Sequence, residues 1–222
     1  MRILVEGLPA SGKSTLLKLL ATKFQDKIVI VNEPLDAWCG ENAIKHNFLS
    51  AFYKNREKGT FASFMFQLFA IVTMLENQFV GSGEKHKVVI QERSIFSSIS
   101  MFASCLHKSK GLTDQEFFIL NQLYSSMVRH IKFKVDAIVF LNIHPLLAVR
   151  RAEQRNREEE KIGLDVDYLY QLKHEFNMTL KPAMVKLFPN ARIFQVNGNW
   201  NLRFLKSTHY RIIANFIAAN LH

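Results

Sequence analysis

Residues 1–15 contain the feature that most restricts how this chain can fold. Ile3, Leu4 and Val5 form a short apolar run typical of a buried strand. The run leads into residues 7–14, with the sequence GLPASGKS, which match G-x-x-x-x-G-K-[ST] at every defined position. Glycines at both ends let the backbone turn tightly, and a helix starting after the loop adds the positive end of its dipole. The alternative is a glycine-rich turn that only joins a strand to a helix.

The residue types of this loop predict a polyphosphate site. Lys13 can reach the outer phosphates of a nucleotide, and the hydroxyl of Ser14 can hold Mg²⁺. We therefore expect a nucleoside triphosphate, ATP, GTP or a relative, together with Mg²⁺. The backbone cradle that would contact it comprises Gly7, Pro9, Ala10, Ser11, Gly12, Lys13, Ser14 and Thr15.

Length and composition limit the class of protein. The chain has 222 residues, 48% of them hydrophobic, and shows no linker, repeat or low-complexity segment, so we expect one domain over residues 1–222. No apolar run is long enough to cross a bilayer. The phosphate-binding loop begins almost at Met1, which predicts a cytoplasmic location. Cys39 and Cys105 are too few for a disulfide framework and are expected to be reduced thiols.

A net charge of +10 favours an anionic partner, either a nucleotide in a cleft or a nucleic acid on a surface. Charge alone does not distinguish these two. The densest basic cluster, residues 150–157, is followed directly by three glutamates at 158–160, which is unlike a nucleic-acid-binding arm. We expect a small-molecule substrate, without a nucleic-acid or membrane partner.

Apolar patterns alternate between strands and helices along the chain. After a helix over 13–24, runs rich in β-branched residues predict strands at 28–31, 88–90, 137–143 and 192–196. Helical spacing predicts helices at 42–53, 61–80, 95–106, 113–130, from 144, at 165–188 and at 202–221, with a break at 54–60. Thr113 and Glu116 fit a capping box. The alternation predicts an α/β fold with a five-stranded parallel sheet and helices on both faces.

Two predicted strands end in carboxylates. Pro34 holds Glu33 in an extended backbone at the end of the second strand, and Glu92-Arg93-Ser94 follow the third. Open parallel sheets bind ligands at this edge. Glu33 can take a proton from a substrate hydroxyl, Glu92 can coordinate Mg²⁺, and Arg93 can clamp an oxygen. The alternatives are a helix-capping carboxylate and a local ion pair.

Two further features point to substrate contacts. Arg151, Arg155 and Arg157 can fold over the phosphates as a lid covering about residues 150–165, although a solvated helix end would also attract cations. Gln67 lies in a helical stretch rich in Phe. A buried amide needs a partner, and the edge of a nucleobase offers both a donor and an acceptor.

Taken together, these motifs resemble the non-herpesvirus deoxynucleoside kinase family. The resemblance rests on the loop at 7–15, the E-P-x-x-x-W stretch at 33–38, the E-R-S motif at 92–94 and the arginine-rich segment at 155–160, and it covers almost the whole chain. It implies a three-layer P-loop kinase fold with a short lid, a homodimer, and ATP-dependent phosphorylation of a deoxynucleoside 5′-hydroxyl in nucleotide salvage.

The resemblance also implies residue roles. Glu33 would be the base, Arg93 would hold Glu33 and the hydroxyl, and Glu92 with Ser14 would serve Mg²⁺. Lys13 and the lid residues Arg151, Arg155 and Arg157 would assist transfer. Gln67 would bind the base edge, Phe102 would stack on the base, and the pocket and sugar contacts would come from Trp38, Phe66, Tyr53 and Glu160. The loop at 195–199, with Asn197, Gly198 and Asn199, would wrap the adenine of ATP.

The base preference follows from two positions. Family members that favour deoxycytidine or purines carry Arg seven residues after the glutamine and Asp five residues after the E-R-S arginine. This chain has Met74 and Ser98 there. Without the charged pair, the resemblance implies room for a thymine methyl group. We therefore expect thymidine or deoxyuridine among the good substrates, with deoxycytidine as a further candidate.

Two other functions share parts of this pattern. A nucleoside monophosphate kinase, such as a thymidylate kinase, has the same loop and a lid, but it needs extra arginines for the acceptor phosphate. Glu33 argues against it because a phosphate acceptor needs no deprotonation. A P-loop protein that binds nucleic acid through its basic surface, with ATP as a switch, is the second alternative.

Overall fold

The structure of the protein, a computed structural model, describes residues 1–42, 44–56, 61–81, 87–161, 163–199 and 209–221. Its centre is a five-stranded parallel sheet in the order β2-β3-β1-β4-β5. The strands are β1 (Arg2–Gly7), β2 (Ile28–Val31), β3 (Val88–Glu92), β4 (Ala137–Asn142) and β5 (Arg192–Asn197). The predicted α/β fold with a five-stranded parallel sheet is confirmed. Because β1 is the middle strand, the loop that follows it lies at the centre of the sheet's carboxyl edge.

Helices connect the strands. In chain order they are α1 (Lys13–Phe24), α2 (Leu35–Cys39), α3 (Phe48–Asn55), α4 (Phe61–Phe79), α5 (residues 95–108), α6 (Asp114–His130), α7 (Pro145–Arg155), α8 (residues 166–187) and α9 (His209–Ala218). Both α5 and α8 contain a π-helical segment, Ser98–Ala103 in α5 and Phe176–Leu180 in α8. Such segments occur often at functional sites.

Each face of the sheet has its own hydrophobic core. On one face, α1 and α9 cover alternate strand residues such as Ile3 and Val5. On the other, α4, α5 and α8 cover Leu4, Ile138 and Phe140. This alternation follows from the two-residue period of a strand, which sends successive side chains to opposite faces. The second face carries the helices that form the candidate site.

The predicted helix at 42–53 is wrong in its first half. The side chain of Asn42 donates to the carbonyl of His46 (2.7 Å) and accepts from its N–H (3.1 Å), and these local bonds replace helical ones. Helix α3 starts at Phe48, after Asn47, whose Oδ1 accepts from the N–H of Ser50 (2.7 Å). An asparagine in this role is a standard helix cap.

Several other elements agree closely with expectation. Thr113 caps α6 as predicted: its Oγ1 accepts from the N–H of Glu116 (3.2 Å), and its own N–H donates to the Glu116 carboxylate (2.8 Å). The predicted closing helix is present as α9, while its first part, residues 202–208, lies outside the described residues. Residues 57–60 of the predicted break also lie outside them. No helix within the described ranges is long and apolar enough to span a membrane.

Candidate active site

A cavity of about 760 Å³ opens at the carboxyl edge of the sheet, between the loop after β1 and helices α3, α4, α5 and α7. This volume is typical of small-molecule sites. The predicted residues that line it are Pro9, Ala10, Ser11, Gly12, Lys13, Ser14, Thr15, Glu33, Trp38, Tyr53, Phe66, Gln67, Glu92, Arg93, Ser98, Phe102, Arg151, Arg155, Arg157, Glu160 and Asn199. Residues that are far apart in the chain therefore share one cavity.

Some predicted residues are not part of the cavity lining. Met74 is fully buried in the hydrophobic core. Gly7 lies at the base of the loop, where a Cβ would come within 2.8 Å of the Leu141 carbonyl oxygen. Gly198 donates its N–H to the carbonyl of Asn142 (2.7 Å), and Asn197 is the last residue of β5. These residues can shape the site from behind but do not face the cavity.

The loop after β1 owes its shape to two backbone conformations. Gly12 has φ +99°, a left-handed value that favours glycine, and Ala10 has φ +56°. The carbonyl of Gly12 accepts from the N–H of Leu16 (3.0 Å), which begins α1. The start of α1 therefore points at the cavity, and a helix N-terminus favours a bound anion.

The side chain of Lys13, the first residue of α1, folds back onto the loop. Its Nζ donates to the carbonyl oxygens of Leu8 (3.1 Å) and Gly7 (3.4 Å) and lies 4.0 Å from Glu92 Oε1. Burial, together with the nearby charge of Arg93, lowers the pKa of Lys13 to about 8. A bound polyphosphate would add negative charge beside this buried ammonium group and favour its protonated form.

Ser14 and Glu92 form an oxygen pair beside the lysine. Ser14 Oγ donates to Glu92 Oε1 at 2.8 Å. Hydroxyl and carboxylate oxygens are the ligands that Mg²⁺ takes when phosphates complete its shell. The described residues contain no group of three or more His, Cys, Asp or Glu that could hold a metal alone. The pair therefore fits an ion that is bound jointly by protein and phosphate.

Glu33 and Arg93 form a directly hydrogen-bonded ion pair in the cavity. Arg93 Nε donates to Glu33 Oε1 (2.5 Å), and its Nη1 donates to the Gly7 carbonyl (3.0 Å). Burial opposes the ionisation of Glu33, but the charges of Arg93 and Lys13 outweigh it and hold its pKa below the ordinary value. Glu33 is therefore an ionised carboxylate near neutral pH, located next to the phosphate-binding loop.

Aromatic side chains form the wall opposite the loop. Trp38 packs edge-on against Phe66 with ring centroids 5.5 Å apart, and its Nε1 donates to Thr73 Oγ1 (2.9 Å). Phe102 lies in the π-helical segment of α5, with the Arg93 guanidinium 4.8 Å from its ring centre. Gln67 is 1% exposed, and its side-chain amide bonds to no other described residue. It is thus a buried polar group that faces the cavity with its hydrogen-bonding capacity available.

The segment predicted to form a lid contributes Arg155, Arg157 and Glu160 to the lining of the same cavity. Arg155 and Arg157 both donate to the carboxylate of Glu160, the latter at 2.9 Å. Gly163 packs so closely on Tyr53 that a Cβ at this position would lie 2.8 Å from Tyr53 Cδ1. The lid therefore joins two arginines to a carboxylate beside the Tyr53 ring.

Comparison with known proteins decides the family. A family model described as deoxynucleoside kinase matches residues 3–219. The chain belongs to the deoxynucleoside kinase family. A probable deoxycytidine kinase of fowlpox virus is 31% identical over 78% of this chain and 70% of its own length. Deoxycytidine kinase 2 of Gallus gallus is 31% identical over 78% of this chain and 72% of its length. Human mitochondrial thymidine kinase 2 is 28% identical over 78% of this chain and 61% of its length.

The site of this deoxynucleoside kinase family member includes residues that the motifs did not indicate. Lys18 and Leu147 line the cavity near the loop and α7, and Leu49, Phe52 and Ala70 line its apolar end. Arg150, Gln154 and Leu35 also line it; they fall within the predicted lid or the 33–38 stretch but were not assigned individually. Lys18 lies one helical turn after Ser14, and this spacing alone predicts that both lie on the same side of α1. Glu6, a fully buried carboxylate inside the apolar strand β1, was also not predicted, although a charge in such a strand is unusual.

Proposed function

We propose that the chain transfers the terminal phosphoryl group of ATP to the 5′-hydroxyl of a deoxynucleoside in nucleotide salvage, with thymidine and deoxyuridine among its good substrates and deoxycytidine as a further candidate. One observation carries the proposal: the Glu33–Arg93 pair lies between a phosphate-binding loop and an aromatic wall that contains a buried amide, in a single cavity. A hydroxyl acceptor needs a base, and a base edge needs a hydrogen-bonding partner.

In this mechanism Glu33 accepts the proton of the 5′-hydroxyl as the phosphoryl group is transferred. Arg93 orients both Glu33 and the hydroxyl, which supplies the alignment that phosphoryl transfer requires. Lys13 and the lid residues Arg151, Arg155 and Arg157 offset the negative charge of the transferring group. Ser14 and Glu92 would hold Mg²⁺, and the ion would offset the negative charge of the phosphates.

The nucleoside would lie along the aromatic wall. Gln67 bonds the edge of the base and Phe102 stacks on its face, while Trp38 and Phe66 close the sides. Tyr53 and Glu160 line the same cavity and would bond the sugar 3′-hydroxyl. On the donor side, Asn199 lines the cavity and its Oδ1 accepts from the N–H of His144 (2.6 Å), which supports an adenine loop at 195–199.

The pyrimidine preference rests on the absence of a charged pair. Ser98 is a small side chain on the cavity wall, and Met74 lies behind the wall within the core. A thymine methyl group can occupy apolar space that an Arg–Asp pair would fill. The names of the relatives include both deoxycytidine kinases and a thymidine kinase, which supports a pyrimidine substrate.

A kinetic panel with ATP and Mg²⁺ tests the proposal. Thymidine, deoxyuridine, deoxycytidine, deoxyadenosine, deoxyguanosine and thymidylate would be compared as acceptors. We expect the highest kcat/KM for a pyrimidine deoxynucleoside, with Ser98→Asp lowering kcat/KM for thymidine more than for deoxycytidine. Preference for either purine would contradict the assigned base pocket. Preference for thymidylate would instead identify a monophosphate kinase.

We also infer that the chain forms a homodimer through α4 and α6, which pack against each other. Their outer surfaces expose large apolar side chains: Val72 is 42% exposed on α4, and Phe118 and Ile119 are 61% and 50% exposed on α6. Exposed apolar residues of this size on two packed helices favour burial against a second copy.

A further inference from the structure

Ser94 occupies the N-cap position of α5 but does not cap it. A serine at this position ordinarily accepts a hydrogen bond from a backbone N–H in the first turn. Here no N–H of the described chain donates to its Oγ. The hydroxyl donates instead to Glu6 Oε1 at 2.5 Å, and both side chains are completely buried. The Ser94 side chain therefore does not cap α5; instead it bonds the start of that helix to β1.

The residue just before Ser94 has an unusual backbone conformation. Arg93 has φ +63°, a left-handed value that side chains other than glycine seldom adopt. Such conformations persist only where surrounding contacts hold them in place. The N–H of Arg93 donates to the Val5 carbonyl (2.9 Å), so β1 holds the residue on one side. The Glu6–Ser94 bond holds the other side, again from β1.

This backbone turn determines where the guanidinium lies. From it, Arg93 reaches both Glu33 Oε1 and the Gly7 carbonyl. Gly7 directly follows Glu6, so one short segment of β1 fixes the turn and also accepts a bond from the arginine. Small shifts of a catalytic group by about 1 Å can reduce turnover about 100-fold. The precision of this turn is therefore important for the Arg93–Glu33 pair.

Glu6 has no other evident task. It does not line the cavity, and its second oxygen, Oε2, has no hydrogen-bond partner among the described residues. Burial raises its pKa to about 7, although the Ser94 bond and the charges of Arg93 and Lys13 act in the opposite direction. A carboxyl group in this environment is a costly way to fill a core, since an apolar side chain would avoid the desolvation.

We propose that Glu6 is a positioning residue which, through Ser94, fixes the left-handed turn that aims Arg93 at Glu33. Glu6 does not touch the substrate in this account and acts only through the arginine. The assignment rests on the proposed function in one respect, which is that Arg93 and Glu33 serve the acceptor hydroxyl.

The first test uses NMR of the nucleotide-free protein at neutral pH. The Nε proton of Arg93, bonded to Glu33, should give a downfield ¹H–¹⁵N signal that exchanges slowly, and Arg93→Lys identifies it by its loss. Ser94→Ala removes the hydroxyl, and Glu6→Leu removes the acceptor at similar volume, so both should lose or broaden this signal. Glu6→Gln keeps an acceptor oxygen and should retain it. An unchanged signal in a folded Ser94→Ala or Glu6→Leu protein overturns the proposal.

The second test is kinetic and has a matched control. Ser94→Ala should lower kcat about 10- to 100-fold while leaving the KM for ATP unchanged, because the phosphate loop is intact. Glu6→Leu should lower kcat in the same way, whereas Glu6→Gln should keep most of the parent's kcat. Ser104, also on α5, likewise donates to a buried glutamate, Glu175 (2.7 Å), but within the described residues the hydrogen bonds of the Arg93 side chain go to Glu33 and Gly7 and involve neither Ser104 nor Glu175. Ser104→Ala should therefore alter neither kcat nor the Arg93 signal.

The two tests separate this assignment from the proposed function. If the parent protein phosphorylates no nucleoside yet the Arg93 signal depends on Ser94 and Glu6, the positioning role stands and the proposed function fails. If the parent is active and Ser94→Ala keeps its kcat per folded protein, the positioning role fails. Equal losses of kcat in Ser94→Ala and Ser104→Ala would indicate that Ser94 has a purely structural role, and would also overturn the positioning role.

Discussion

Glu33 illustrates how neighbouring charges decide the chemistry of one residue. A buried carboxyl group tends to stay protonated, and a protonated carboxyl cannot act as a base. Arg93 and Lys13 reverse this tendency, so Glu33 is ionised at neutral pH. The arginine that binds Glu33 therefore also keeps it in the protonation state that the proposed reaction needs.

Replacing this carboxylate tests its role. Glu33→Gln keeps the size and a hydrogen-bond acceptor for Arg93 but removes the base, so kcat should fall by about two to four powers of ten. Nucleoside affinity, measured by calorimetry, should remain close to that of the parent. The exposed Glu41, changed to Gln, serves as a control and should leave kcat unaltered. Retention of most of the turnover in Glu33→Gln would remove this residue from the role of base.

The raised pKa of Glu6 predicts how the free energy of unfolding depends on pH. Its folded-state pKa of about 7 is raised above the ordinary value of 4.5, so between these values the unfolded chain releases a proton that the folded chain retains. The free energy of unfolding therefore falls as pH rises through this window, by on the order of 2–3 kcal/mol for this group. Glu6→Gln removes this contribution.

Urea unfolding at pH 5 and pH 7.5 provides the measurement. The free energy of unfolding of Glu6→Gln, relative to that of the parent, should be higher at pH 7.5 than at pH 5. Lys13 does not obscure this comparison because its pKa of about 8 places its own contribution at higher pH. The same difference at both pH values would mean that Glu6 does not titrate in this window.

Individual residues differ in how well the sequence predicts them. The location of Lys13, Ser14 and Glu33 in one cavity was predictable, because a local motif contains the first two and the third follows a predicted strand. The Glu6–Ser94 bond could not be predicted, since it depends on the register of β1 against β3, which pairs Val5 with Glu92. Periodicity identifies strands but does not establish which residues lie opposite each other.

At the scale of elements, the predicted lid contacts α3 where Gly163 packs against Tyr53. Gly163 has backbone and ring atoms of Tyr53 within 2.9 Å of the position a Cβ would take. Gly163→Ala should displace Tyr53 or the lid and raise the KM for nucleoside about tenfold, with a smaller effect on the KM for ATP. Steady-state kinetics measure both values. Lys161→Ala, an exposed lid change, is the control, and equal KM values in all three proteins would disprove this coupling.

Elements also show where sequence patterns fail. The apolar spacing at 42–53 favoured one helix, but Asn42 uses its side chain to bond the loop backbone, and Asn47 starts the real helix five residues later. Local side-chain bonds of this kind compete with a weak helical pattern. In α6 the same kind of local chemistry, the Thr113–Glu116 capping box, reinforced a strong pattern, and the prediction is confirmed.

For the whole molecule, we predict a dimer with a defined interface. Sedimentation of the parent should give twice the monomer mass of 25.7 kDa. Phe118→Lys places a charge on the exposed face of α6 and should give monomers, because burying an unpaired cation opposes association. Tyr170→Lys, at an exposed residue of α8, should remain dimeric. A monomeric parent at micromolar concentration would contradict the inferred interface.

The overall architecture was predictable because strands and helices alternate strongly and the phosphate-binding loop marks the first strand. The order of the strands in the sheet was not predictable, since nothing in the residues of β4 or β5 indicates which strands they pair with. The cavity's apolar end, with Leu49, Phe52 and Ala70, was also missed because such side chains are indistinguishable from core in a linear pattern.

The groups proposed for phosphoryl transfer and those proposed for base selection lie on different elements of the fold. Glu33, Glu92 and Arg93 lie at strand ends, whereas Gln67, Ser98 and Phe102 lie on α4 and α5. Substitutions that reshape α4 or α5 can therefore change the accepted nucleoside while the transfer chemistry persists. Under the proposed function, a few changes confined to these two helices would therefore be enough to alter which base is accepted.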